Sequence, residues 1–555
     1  MEHRRPCRRK MFYAVPNLTF FNAIEIMRNT FAIQYTLLLC LLMPFALLAQ
    51  NADIILTNGK IFTADTAQLY VEALAIKGNK IIAIGKNEAM QKFASRATKH
   101  INLQGRTVVP GFNDAHDHLG WLVPTKHGFI TEFSVPGPTR QQVIDSLNRL
   151  VKKSRPNQWL YGTIGLSVFG DTSVRRKLLD SIAPHNPVAL LVMWGHGMIA
   201  NSEALKTIGL NDTASDPVGG WYERMPSSNV LSGAFYEYAQ FPFWQAVTLA
   251  DSTALINRLR SHAQEQLQYG ITSVQNMSST LQANAAKVVF KNAALPVRTR
   301  IIAMPATNEK GRQMDQWEKL PSQLSPFTAV SGIKYMIDGT SLERTALKTK
   351  PYPGTPNYFG RLDFPVDTIR QLLKEALTTN RQLLLHITGD SATKVVLQLM
   401  KTMAAPAIWQ TKRVRIEHGN GITNALTKDV KDLGIIVVHT PQYGANNPLQ
   451  SWVQMGIPVA MGPDGLINPF VNIAMVCSRQ VNKAENLTRE QAVIAYTRTG
   501  AYAEFADKEK GTLTPGMVAD IAVLSQDIFS IPFDQLPQTR SVMTIVNGKV
   551  LLKRF

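Results

Sequence analysis

The stretch Val108-Val-Pro-Gly-Phe-Asn-Asp-Ala-His-Asp-His118 carries the densest chemistry in this sequence. An apolar run leads into His-x-His, and on a strand side chains at i and i+2 point to the same face. His116 and His118 can therefore present two imidazoles side by side, as two ligands of one metal require. Other apolar runs end in a similar way. Lys334 lies in Gly332-Ile-Lys-Tyr-Met-Ile-Asp-Gly339, and His386 closes Leu383-Leu-Leu-His386. Glu417-His418 closes a third run, and Asp464 follows a fourth within Met461-Gly-Pro-Asp-Gly465. A lone histidine behind an apolar run is ordinarily a hydrogen-bonded core residue. Only 11 histidines occur in 555 residues, however, and His116, His118, His386 and His418 all fall at such ends.

Neutral imidazoles together with a carboxylate suit a divalent metal, Zn²⁺ above all, as one ion or two. Such an ion lowers the pKa of bound water to about 7. A carboxylate beside that water can take its proton and pass it to a leaving nitrogen. Asp464 is the candidate for this role. Its structural alternative is a turn aspartate next to Gly465.

The elements that must position these groups follow from the pattern of apolar runs. Eight β-rich runs alternate with helix-like segments: Thr107–Phe112, Gly270–Val274, Val297–Ala303, Gly332–Ile337, Gln382–Leu385, Val414–Ile416, Gly434–Val438 and Pro458–Met461. Eight parallel βα units predict an α/β fold, the (β/α)8 barrel, in which functional groups gather at the C-terminal strand ends. Residues 121–250 interrupt the series after the first strand and read as an inserted subdomain. Residues 51–106 and 511–555 are short β-structure with Asn-Gly turns. They are expected to pair into one small β-sandwich framing a barrel over 107–510.

Residues 1–50 read as a targeting segment. The nearly apolar run Tyr35–Ala49 ends in small residues, with cleavage expected after Ala49 and an exported, periplasmic or secreted chain as the result. A membrane anchor is the alternative, and Met27 is an alternative start. The run is short for a spanning helix. The three cysteines, Cys7, Cys40 and Cys477, provide neither a disulfide framework nor a cysteine-based zinc site. The formal charge of +19 is spread along the chain without a nucleic-acid-binding motif, so the expected partner is a small molecule and not nucleic acid. Homo-oligomerisation is left open.

Taken together, Pro110-Gly-Phe-Asn-Asp-Ala-His-Asp-His118, Gly270-Ile-Thr-Ser-Val274, Ile333–Gly339, His386-Ile-Thr-Gly-Asp390, Arg415-Ile-Glu-His-Gly419 and Gly511–Ile521 resemble the amidohydrolase superfamily. More narrowly they resemble its YtcJ-like branch, amidohydrolase family 3. The resemblance runs from about residue 52 to 550. It implies a metal-dependent hydrolase of carbon–nitrogen bonds other than peptide bonds, working by a metal-activated hydroxide. By the family pattern His116 and His118 hold one metal and His386 and His418 a second, while Asp464 is both ligand and base; Asp464, His386 and His418 form the catalytic set. Lys334 matches a position that is carboxylated to bridge two metals in some members; an unmodified lysine there would pair with Asp338 or Asp464. His196, in Trp194-Gly-His196, and His439 are candidates for substrate contact. The sequence departs from the branch at Val274-Gln-Asn-Met277, Asp338–Arg344, Val438–Tyr443 and Gly462-Pro-Asp-Gly465, which concern the loops facing substrate. The same site could serve a deaminase or an ester or lactone hydrolase, because fold and metal do not fix the leaving group. A barrel kept only as a binding protein is the reading from a different class.

Overall fold

Eight strands follow one another in chain order around the central sheet of the computed structural model: β1 (Phe112–Asp117), β2 (Ile271–Ser278), β3 (Arg298–Ala303), β4 (Thr328–Met336), β5 (Leu383–Ile387), β6 (Arg415–His418), β7 (Ile436–His439) and β8 (Val459–Met461). Every neighbouring pair is parallel. The structure describes residues 51–119, 128–129, 137–226 and 228–555. Residues 52–555 form one compact unit, and the expected targeting segment lies outside the described residues. No described helix is long and apolar enough to cross a membrane.

Strands β5, β6 and β7 are buried along their whole length, as expected of a sheet covered on both faces. Amphipathic helices supply the outer cover. Val366–Thr378 leads into β5, burying Ile369, Leu372, Leu373 and Ala376 at helical spacing. Asp390–Met403 follows β5 and buries Val396, Leu397 and Met400. The ring is completed at its C-terminal end, where the Asp464 amide donates to the His116 carbonyl at 3.1 Å and the Gly462 amide to the His439 carbonyl at 3.1 Å. This brings a residue after β8 against a residue of β1. The (β/α)8 barrel is thus the observed fold.

One boundary differs from the expectation. The run Thr107–Phe112 is not a single strand. Thr107–Pro110 pairs with Lys60–Phe62 and with Ile521–Leu524, in the sheet built from both ends of the chain. At Gly111 the amide still donates to Asp520, whereas the Phe112 amide donates to Gly270 at the start of β2. The chain changes sheets within two residues. Glycine is required at the crossing, since a Cβ on Gly111 would lie 2.2 Å from Thr272 Oγ1. Apolar residues before and after the crossing read as one strand because burial does not reveal which sheet provides the partner.

That second sheet and a four-stranded one (Ile54–Thr57, Ala73–Lys77, Lys80–Gly85, Lys99–Asn102) enclose a separate core. Leu56, Leu74 and Ile101 from one end of the chain meet Leu513, Val523 and Ile545 from the other. Between β1 and β2 lies a six-stranded sheet that includes Leu160–Ile164, Val188–Val192, Gly197–Ala200 and Leu231–Glu237. It packs on the helix Arg140–Lys153, which starts in a capping box of Thr139 and Gln142.

Candidate metal centre

His116, His118 and Asp464 each direct a ligand atom to one place, all within 4.8 Å of one another. Asp464 Oδ1 lies 3.7 Å from His116 Nε2 and 3.5 Å from His118 Nε2. The pairing of β1 with β2 carries a register shift between Val274 and Asn276, opposite the His-containing end of β1. The strand face is therefore bent at the point where the two histidines converge.

Three histidines have the second ring nitrogen engaged. His116 Nδ1 meets Glu417 Oε2 at 2.5 Å, His118 Nδ1 meets Ser279 Oγ at 3.1 Å, and His418 Nδ1 meets Thr440 Oγ1 at 2.8 Å. In each case Nδ1 is held from behind and Nε2 is the nitrogen on the side of the shared cluster, the arrangement that fixes tautomer and orientation at metal-binding histidines. Burial above all, with Lys334 and the neighbouring histidines adding to it, holds His116, His118, His386 and His418 well below the usual imidazole range. Their lone pairs are therefore free of protons, as metal binding demands.

The histidine rings form a continuous group. Centroids are 5.4 Å apart for His118 and His116, 5.1 Å for His116 and His418, and 4.6 Å for His418 and His386. His386 Nδ1 faces His418 Nε2 at 2.9 Å, and His386 Nε2 is buried without a hydrogen-bond partner among the described residues. The group continues into the inserted subdomain, where His196 lies 4.7 Å from His386. Lys334 Nζ lies 3.0 Å from His116 Nε2. The expected alternative, an ion pair of Lys334 with Asp338 or Asp464, is not formed among the described residues. The Asp338 carboxylate instead accepts from the amides of Leu347, Thr388 and Gly389. Burial brings Lys334 down to about 8 and pushes Asp464 up to about 6, with Lys334 opposing the latter shift.

His439 departs from the rest. It is buried on β7, its Nδ1 lies 3.2 Å from Asn447 Nδ2, and no described ring contact joins it to the other five histidines. It holds the chain after β7 in place, and Asn447 Nδ2 also donates to the His418 carbonyl.

The sequence reading gave no role to the groups behind the ligands. Glu417 bridges His116 to Arg415, whose guanidinium donates to both Glu417 oxygens at 2.8 and 3.0 Å, to Gln275 Oε1 and to the Ala115 carbonyl. Glu417 and Arg415 are completely buried. Charged residues at alternate positions of an apolar strand, as in Arg415-Ile-Glu417, are the signal that pointed there. His418 and Asp464 also have positive φ, 72° and 52°. Non-glycine residues adopt this conformation at some cost and concentrate where side-chain placement matters.

The donor set suits a divalent metal: a carboxylate, neutral imidazoles held from behind, and a buried imidazole nitrogen with no other partner among the described residues. A model of the amidohydrolase family matches residues 99–552. Protein LONG AFTER FAR-RED 3 of Arabidopsis thaliana is 27% identical over 545 residues, covering 90% of this chain and 91% of its own. An N-substituted formamide deformylase of Arthrobacter pascens is 23% identical, covering 91% of this chain and 99% of its own. The putative amidohydrolase YtcJ of Bacillus subtilis is also 23% identical, covering 88% and 96%.

Proposed function

The chain belongs to the amidohydrolase family, and we propose that it hydrolyses the carbon–nitrogen bond of a non-peptide, amide-type small molecule. The observation that carries this reading is the convergence of His116, His118 and Asp464, from opposite ends of the barrel sequence, beside His386 and His418. These five residues would hold the metal, which we take to be zinc, and Lys334 would join them if its amine is carboxylated. A divalent ion bound there would supply a Lewis acid for the scissile carbonyl and would make the attacking water more acidic.

The protein supplies the proton path. Asp464 is half-buried, close to both histidines at the end of β1, and burial raises its carboxyl to about 6. It takes a proton from water as the new C–O bond forms and returns it to the nitrogen as the C–N bond breaks. The products are an acid and an amine. Lys334, at about 8, spends part of its time as a neutral amine at physiological pH, the form able to react with carbon dioxide. We also place the mature chain outside the cytoplasm, with residues 1–49 removed; N-terminal sequencing of exported protein checks this.

The test is metal analysis of the purified protein followed by chelation and reconstitution. N-substituted formamides, suggested by the deformylase relative, head a panel of amides scored for amine or ammonia release. Bound zinc or manganese and turnover lost on chelation are expected. A protein that carries no divalent metal, and in which none restores turnover, overturns the reading.

A further inference from the structure

We propose that His196 and Glu237, both from the inserted subdomain, act as one unit that seats the carbonyl group of the substrate: His196 contacts it, and Glu237 positions His196. The inference rests on the proposed hydrolase function and deepens it: His196, a candidate for substrate contact, gains a defined partner in Glu237, to which that function gives no role.

His196 lies in the turn between the strands Val188–Val192 and Gly197–Ala200. Its ring is packed at 4.7 Å against His386, so the insertion reaches the metal centre through this side chain. Glu237 holds it from behind. Glu237 Oε2 lies 2.7 Å from His196 Nδ1, and the Glu237 amide donates to the His196 carbonyl at 3.5 Å. Glu237 is completely buried and ends the strand Leu231–Glu237 at φ 51° and ψ −126°, outside the regions open to most residues. His418 and Asp464 share this feature of positive φ.

The other Glu237 oxygen ties the pair to the barrel. Oε1 accepts from Thr345 Oγ1 at 3.4 Å, in the loop that follows β4. That loop comes so close that a Cβ on Gly339 would lie 2.3 Å from Oε1. His196 is therefore fixed from two sides, by the insertion and by the loop after β4.

With Nδ1 engaged, Nε2 is the ring nitrogen left for a ligand, and it has no hydrogen-bond partner among the described residues. Burial, with Glu343 and Asp338 nearby, raises the Glu237 carboxyl well above the usual range. A protonated Glu237 donates to Nδ1 and keeps the imidazole proton on Nε2, where it can be donated to a carbonyl oxygen. Glutamine at 237 offers the same donor, which makes Glu237→Gln the decisive variant.

The experiment uses the zinc-loaded full chain. kcat and KM are measured on the best amide of the panel, and acetate, a simple carboxylate standing in for the acid product, is titrated calorimetrically. H196A and E237A are each expected to lower kcat/KM about tenfold or more and to weaken acetate binding, with zinc content unchanged. The double variant should be no worse than H196A, because Glu237 acts through His196. E237Q should stay within about threefold of the wild type, and H196Q covers the case in which H196A fails to fold. Additive losses, an E237Q as impaired as E237A, or full activity of H196A each overturn the pairing while leaving the hydrolase reading intact. A zinc-loaded wild type that neither turns over an amide nor binds acetate overturns both.

Discussion

At the scale of single residues, the proposed hydrolysis depends on a carboxylate that handles a proton and on charges that hold a ligand still. Asp464→Asn retains an oxygen at the metal but cannot accept a proton. The expected outcome is a variant with near-normal zinc content and kcat reduced by about 10²–10⁴, checked by metal analysis and steady-state kinetics. Full activity would remove Asp464 from the mechanism. Glu417→Ala leaves the buried Arg415 without its carboxylate partner and His116 without its orienting bond. Breaking a buried pair costs roughly 3–5 kcal/mol, so a large fall in melting temperature together with weakened zinc binding is expected. Loss of zinc affinity with unchanged stability would show that Arg415 finds other partners. His116 and His118 at the end of β1, His386, His418 and Asp464 could be named as candidates from the sequence, since each follows an apolar run. Glu417 could not be given its role, because its partner His116 is 301 positions away.

At the scale of elements, the end of β8 must lie directly against β1. A Cβ on Gly462 would sit 2.3 Å from the His116 backbone nitrogen and 2.5 Å from its Cβ. Neither atom is at the end of a flexible side chain, so Gly462→Ala forces the two strand ends apart. The expected result is zinc affinity reduced at least tenfold with far-ultraviolet circular dichroism unchanged. A variant that binds zinc normally would show that the ring tolerates opening there. Gly462 stands out in the sequence only as part of Gly462-Pro-Asp-Gly465, where it reads as an ordinary turn residue. Its close approach to β1 exists only once the barrel closes.

At the scale of the whole molecule, the burial of so many ionisable groups makes stability depend on pH, with two opposing contributions. His439 is held at about 3 by burial, whereas an unfolded chain restores a value near 6.5. Below pH 6.5 the unfolded state therefore binds more protons, and this contribution to stability is lost as the pH falls. Asp338, raised to about 7, and Asp464, raised to about 6, act in the other direction, because their folded forms gain protons first. The histidine contribution is isolated by difference. The destabilisation caused by His439→Asn at pH 7.5 should shrink by roughly 2 kcal/mol at pH 5, measured by denaturant unfolding of both proteins. A cost independent of pH would mean that His439 is not held neutral.

The sequence by itself determined the eight-stranded barrel and the β-structure at both ends, and it named the candidate donors. These features are local: burial at alternate positions of a strand, helical spacing and a polar residue where an apolar run stops are written in consecutive residues. Tertiary structure alone decided where β1 begins, because Pro110 and Phe112 are equally apolar and differ only in the sheet that accepts them. It also decided that Lys334 lies against His116 and not against an aspartate, that His439 stays apart, and that His196 reaches His386 from the insertion. Each of these is a meeting of residues far apart in the chain. Such meetings are fixed when the strands close into a ring and the insertion packs on its rim, and no local pattern encodes them.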